Sequence, residues 1–181
     1  MQSLPSSRHE LRAWHRGRPC TAGVLAIALT RRGAHVTGID ADRHMLEAAQ
    51  ARAAREAATL RLALGQADTL PFPDASFDRV VAIAVLCFVP QAQQAVSEMA
   101  RVLRPDGRLL IGEVGRWNLW AARRRLQAWF GHPVWAAAHF RAATDLRRLV
   151  QDQGLTVSDT RGATYYPPWG IAASVFSGVD P

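Results

Sequence analysis

Short apolar runs alternate with longer amphipathic stretches along most of this chain, and that alternation limits the fold more than any other feature. Val24, Leu25, Ile27, Ala28 and Leu29 predict a helix that Gly33 ends after Arg31 and Arg32. His35 to Asp40 reads as a strand, followed by a helix capped by Asp40 or Asp42 and running to about Ala58. Leu60 to Leu64 is strand-like, and Gly65 to Ser76 is a loop rich in turn residues. Phe77 to Ala84 carries a continuous apolar run, the pattern of a strand buried on both faces. Gln91 to Leu103 is an amphipathic helix, with Val96, Met99, Ala100 and Leu103 on one side. In Arg104-Pro105-Asp106-Gly107, proline fixes φ and the glycine is expected in the left-handed site before a further strand, Arg108 to Val114. Strands separated by helices of this length make parallel βαβ units, so the fold class is α/β, a doubly wound sheet.

Beyond Gly115 the pattern loosens. A Trp-rich helix (Trp117, Trp120, Leu126, Trp129) is expected, then a helix opened by Thr144 and closed by Gly154, then a strand over Thr156 to Tyr166. Residues 1–20 show no period and form an atypical, disordered segment in this reading. Residues 21–181 form one domain, with neither a repeat nor a linker.

Composition excludes several classes. At 181 residues and 49% hydrophobic content the chain can bury a sizeable core without disulfides. No apolar run approaches the roughly 18 residues of a membrane span, and no secretory signal is legible at the start. Two cysteines, Cys20 and Cys87, make no disulfide framework, and a reducing cytoplasm is the simplest setting. The net charge is +7, carried by 22 arginines with no lysine. The arginines are scattered rather than gathered on one stripe, so no specific nucleic-acid partner is expected.

Open α/β sheets bind ligands at the carboxyl ends of their strands, so candidate site residues lie just after each strand. Asp40 ends a strand 17 residues after Gly23, near the spacing at which a carboxylate meets a nucleoside's ribose. An ionised carboxylate only accepts hydrogen bonds, and a ribose offers two adjacent O–H donors. The alternative is that Asp40 only caps the following helix. Gln66 and Ala67, after the third strand, place an amide and backbone N–H groups where they can read an adenine edge; taken alone, an ordinary loop glutamine is the simpler reading. Cys87 has no evident activating partner and is expected to be a buried, inert thiol. The six histidines show no metal-ligand spacing, and no metal site is expected. Tyr165 and Tyr166 are expected to pack in the core or rim rather than line a pocket.

Four phrases in series resemble the class I S-adenosylmethionine-dependent methyltransferases, in particular the methyltransferase type 11 family. They are Val36-Thr37-Gly38-Ile39-Asp40 with Met45-Leu46, Gly65 to Asp78 with Leu70-Pro71-Phe72-Pro73, Val85 to Pro90, and Glu98 to Leu109. The resemblance implies a Rossmann-like, mostly parallel sheet with S-adenosylmethionine across the strand ends. It also implies methyl transfer to a small-molecule acceptor by in-line displacement. Asp40 would hold the ribose, with Ala41 beside the adenine and Gln66 and Ala67 at its edge. Ala84 would lie near the methionine part, opposite Gly23. Catalytic groups are not specified, and the Trp117 to Phe140 segment with Tyr165-Tyr166 is expected to cover the acceptor.

The chain departs from the family pattern in three places. Gln66 stands where aspartate is usual. Pro19-Cys20-Thr21-Ala22-Gly23 replaces a Gly-rich turn, and the polar, basic Glu10 to Arg18 stands where the first, central strand belongs. The last antiparallel strand is also missing. These features lead to the expectation of a shortened copy, with residues 1 to about 20 outside the ancestral reading frame, and to the alternative of a catalytically impaired or non-catalytic remnant. A nicotinamide-dependent dehydrogenase ranks lower, because the G-x-G-x-x-G turn is not intact and a Tyr-x-x-x-Lys pair is impossible without lysine.

Overall fold

The computed structural model describes residues 9–13 as backbone, residues 22–113 and 138–162, and Trp129. Five strands form one sheet: β1 (His9–Ala13), β2 (His35–Asp40), β3 (Arg61–Leu64), β4 (Phe77–Ile83) and β5 (Leu103–Gly112). Their spatial order is β3-β2-β1-β4-β5, and every pairing is parallel. The helices are α1 (Val24–Thr30), α2 (Arg43–Arg55), α3 (Ala92–Val102) and α4 (Ala143–Gln151). The order reverses direction at β1, as in a doubly wound sheet.

The placement of β1 corrects the expectation that the first strand is missing. His9 to Ala13 runs between β2 and β4, with His9 opposite His35 and Leu11 opposite both Thr37 and Val80. Pairing is a property of backbone N–H and C=O groups. The polar side chains of this stretch hid a strand that the two neighbours specify from either side.

Two layers of helix cover the sheet. Val36 and Ile39, three apart on β2, point to opposite faces and belong to different cores. On one side Val36 packs with Ala26 and Ile27 of α1, Ala53 of α2 and Leu60. On the other, Ile39, Val80 and Ala82 meet Ala92, Ala95, Val96, Met99 and Val102 of α3, the spacing of a single helical face. Leu146, Leu149 and Val150 of α4 pack against this second core.

Two local expectations are corrected. Arg104 to Gly107, read from the sequence as a turn before the strand, lies within β5, and its left-handed residue is Asp106 (φ 63°), not Gly107. Gly107 is required for close approach instead, because a Cβ there would lie 2.7 Å from Leu103 Cδ1 and 2.8 Å from the Arg104 carbonyl oxygen. Phe77 pairs with Leu103 and Arg79 with Arg108, so the extra β5 residues bulge out of the ladder. The second correction concerns the strand expected over Thr156 to Tyr166. Its described part, residues 156–162, is irregular, since a strand needs a partner ladder and the described sheet ends at β5. Residues 163–166 and most of the Trp-rich helix lie outside the described residues. No helix among the described residues is long and apolar enough to cross a membrane.

Met99 is fully buried at the centre of the α3 face. Truncation to alanine in Met99→Ala is expected to cost about 2–5 kcal/mol in urea denaturation at unchanged m-value. A loss below about 1 kcal/mol contradicts this packing.

Candidate functional site

Parallel pairing brings the carboxyl ends of β1 to β4 to one side of the sheet, and the residues singled out in the sequence follow those ends. Asp40 is the last residue of β2 and only 3% exposed. Its Oδ1 accepts a hydrogen bond from the Asp42 backbone N–H at 2.8 Å. The capping role falls to Asp42, whose Oδ1 accepts from His44 N at 2.9 Å. Asp40 is therefore held by the chain that turns into α2 without being consumed as its cap. A carboxylate has about four lone-pair sites, enough for a backbone N–H together with the two hydroxyl donors of a ribose. Ala41, next in the chain, is exposed.

The end of β3 is pressed against the end of β2. Gly65 N donates to the Asp40 carbonyl at 3.1 Å, and a Cβ on Gly65 would lie 2.7 Å from Ile39 Cδ1 and 3.2 Å from Pro71 Cδ. Glycine allows this approach, since a Cβ would force the end of the Ile39 side chain to shift. Gln66 follows, exposed, and closes a tight turn by accepting from Thr69 N at 3.3 Å. Ala67 is half-buried against the main core.

Gly23 is buried at the start of α1 with φ 82°, a left-handed conformation that explains glycine at this position, and its carbonyl accepts the first helical bond from Ile27 N at 2.8 Å. Ala84 follows β4 with φ 52°, and its N–H donates to the Gly112 carbonyl at 2.6 Å. A left-handed alanine is strained, and the neighbouring β5 bond holds it there.

After Ala84 the chain makes a short 3₁₀ turn, Leu86–Phe88, gripped from two directions. Glu113, the first residue after β5, accepts from Leu86 N at 2.7 Å. On the carbonyl side, Arg141 Nη1 donates to Leu86 O at 2.5 Å and His139 N donates to Cys87 O at 2.7 Å. Burial raises the Glu113 carboxyl above the ordinary glutamate range, partly offset by the N–H groups of Leu86, Cys87 and Val85 and by the Cys87 thiol. Burial, followed by the nearby Glu113 charge, pushes the Cys87 thiol far up, so it stays protonated as a poor nucleophile. The sequence reading missed Glu113 and Arg141. Glu113 had the same signal as Asp40, an ionisable residue directly after a buried strand; Arg141 had none.

The arrangement is a set of strand ends lined by small residues, with one buried carboxylate at the tip of β2. Such a surface can seat a nucleoside, the carboxylate taking the sugar hydroxyls and the alanines leaving space beside it. A hollow of about 530 Å³ on α3, lined by Gln91, Gln93, Gln94, Ser97 and Gln153, shares no residue with it. Among the described residues no group of three or more His, Cys, Asp or Glu is arranged to hold a metal ion.

A family model described as a methyltransferase domain matches residues 19–111, just over half of the chain. The chain belongs to the methyltransferase domain family. Methyltransferase GfsG of Streptomyces halstedii is 42% identical over 98 residues, which cover 52% of this chain and 35% of that protein. O-methyltransferase rstn1 of Aspergillus nomiae is 36% identical over 98 residues, 52% of this chain and 44% of that one. The chain thus spans less than half the length of these curated relatives. Among solved structures, a SAM-dependent methyltransferase of Thermotoga maritima, described as a possible histamine N-methyltransferase, superposes with a TM-score of 0.63. It is 23% identical, over 83% of this chain and 65% of that one, and the likeness establishes the Rossmann-like methyltransferase fold.

The raised Glu113 carboxyl has a consequence for stability. The folded domain binds that proton more tightly than the unfolded chain, so the contribution is present at low pH and is lost as pH rises through the folded value. Glu113→Gln removes this titration. In chemical denaturation across a pH series, wild type is expected to lose stability relative to the variant as pH rises from about 4 to 7. A difference independent of pH contradicts the assignment.

Proposed function

We propose that this methyltransferase domain uses S-adenosylmethionine to methylate a small-molecule acceptor by in-line displacement. The observation that carries the reading is Asp40: a buried carboxylate at the tip of β2, held by Asp42 N and not spent on capping α2. Asp40 accepts the two ribose hydroxyls. Ala41 flanks the adenine, and Gln66 and Ala67 meet its edge. Gly23 and Ala84 border the methionine end, where small residues let the backbone come close. The donor set fits an adenosyl group: an acceptor-only carboxylate for a diol, an amide for an amino-substituted ring, and small residues at Gly23, Ala41, Ala67 and Ala84.

The bound cofactor supplies an activated sulfonium methyl group, so the chemistry asks little acid or base work of the protein. The chain's share is alignment and exclusion of water. The turn after Ala84, fixed by Glu113 and Arg141, gives the acceptor side a rigid wall. Two similar proteins, an O-methyltransferase and a possible histamine N-methyltransferase, support a small acceptor. A reducing cytoplasm fits the free Cys87.

Titration calorimetry with S-adenosylhomocysteine tests the reading. Wild type is expected to bind in the micromolar range, as free ligand binding of about −8 kcal/mol implies. Asp40→Asn, which keeps an acceptor for Asp42 N but loses the charge, is expected to weaken binding about 10- to 100-fold, the worth of charged hydrogen bonds. Folded wild-type protein that releases no heat contradicts the cofactor assignment and favours a non-catalytic remnant.

A further inference from the structure

Residues 66–69 form a tight turn whose two ends are both fixed. At one end Gly65 N is bonded to the Asp40 carbonyl. At the other, a pair of side chains on α3 reaches both backbone groups of Leu70, whose carbonyl also accepts from Phe72 N at 2.8 Å. Leu70 N donates to Glu98 Oε2 at 2.9 Å, and Leu70 O accepts from Arg101 Nη2 at 3.1 Å.

Arg101 is saturated. Its Nε and Nη2 donate to the two Glu98 oxygens, each at 2.8 Å. Its Nη1 donates to Phe72 O at 2.9 Å and to Asp74 Oδ1 at 2.6 Å. With the Leu70 bond this uses all five guanidinium N–H groups, in the planar fork that only arginine offers. The fork-to-carboxylate geometry orients the guanidinium, and the loop carbonyls then fall where its remaining donors point. Hydrogen bonds from Arg101 keep the Glu98 carboxyl below the ordinary glutamate range, so the pair stays ionised at neutral pH. Phe72, which carries one of the anchored carbonyls, packs edge-on against Phe77 with ring centroids 5.1 Å apart. The far limb of the loop is tied to the same helix end, with Ala75 N bonded to Arg101 O and Ser76 N to Val102 O.

A loop braced for stability alone needs no such economy at Leu70. One bond from each of Glu98 and Arg101 falls on Leu70, the residue that follows the turn carrying Gln66 and Ala67, and neither Glu98 nor Arg101 is among the strand-end residues. We propose that Arg101, oriented by Glu98, is a positioning residue that sets the adenine-side contacts of the cofactor cleft through Leu70, without touching the cofactor. This rests on the reading of Gln66 and Ala67 as adenine contacts. The methyl-donor end of the cleft, built on Gly23 and Ala84, is independent of the clamp.

Calorimetry with two probes, adenosine and S-adenosylhomocysteine, tests it on Arg101→Gln, Arg101→Lys and Asp40→Asn, alongside amide hydrogen exchange of the unliganded proteins. Arg101→Gln is expected to weaken both probes by the same factor, about 10-fold, because the loss sits in the shared adenosine part and equals roughly one well-placed hydrogen bond. Arg101→Lys keeps the charge but not the fork and is expected to recover part of that loss; it also serves if Arg101→Gln fails to fold. Exchange at the Leu70 amide is expected to quicken in both variants while that at Val80 stays unchanged. Arg101 variants that bind both probes like wild type, while Asp40→Asn loses them, overturn the positioning role and leave the cofactor reading standing. Wild-type protein that binds neither probe overturns both.

Discussion

Everything at the strand ends depends on β1 lying between β2 and β4. Parallel strands cannot be joined by tight turns, so each must be followed by a crossover that returns the chain to the same edge. With β1 in the centre, the crossovers on its two sides leave in opposite directions, the topology in which open α/β sheets bind ligands above the carboxyl ends. Remove that pairing and β2 with β3 would lose its alignment with β4 and β5. Asp40 and Ala84 would then have no reason to face a common space. The central strand is set by backbone pairing with both neighbours.

The crevice has two walls made by different means. On the β2–β3 side, contact is by close approach: Gly65 lets β3 press on Ile39, and Asp40 is locked by the turn into α2. On the β4–β5 side, contact is by polar ties: Ala84 is held left-handed by Gly112, and the following turn is gripped by Glu113 and Arg141. Helix α3 underlies both. Its apolar face packs on β4 and its neighbours, and its polar edge reaches out through Glu98 and Arg101 to the loop after β3. A single rigid element thus coordinates two loops separated in sequence.

Much of this was legible in the residues, and the failures are informative. Four of the five strands and all four described helices follow from apolar period and end signals, with Asp42 and Gly33 marking boundaries where expected. Asp40 stood out because a carboxylate directly after a buried strand has few other uses. The central strand was missed because side-chain polarity was read as evidence about backbone pairing. Residues 156–162, read as the first part of a strand after α4, are irregular, since a suitable sequence does not pair without a neighbouring ladder. Gly107 was placed in the wrong role because turn propensity describes φ, whereas here crowding by Leu103 decides. Arg141 and the loop-holding role of Arg101 were invisible because the backbone carbonyls they reach, those of Leu86, Leu70 and Phe72, lie far away in sequence.

Backbone amide shift mapping during titration with S-adenosylhomocysteine tests the placement of the cleft most directly. Perturbations are expected to gather at Gly23, Asp40 to Asp42, Gln66, Ala67 and Ala84, across four separate segments that meet only in this fold. A folded protein whose shifts stay still, or move only on the outer face of α3 around Gln91 and Gln94, contradicts a nucleoside site at the strand ends.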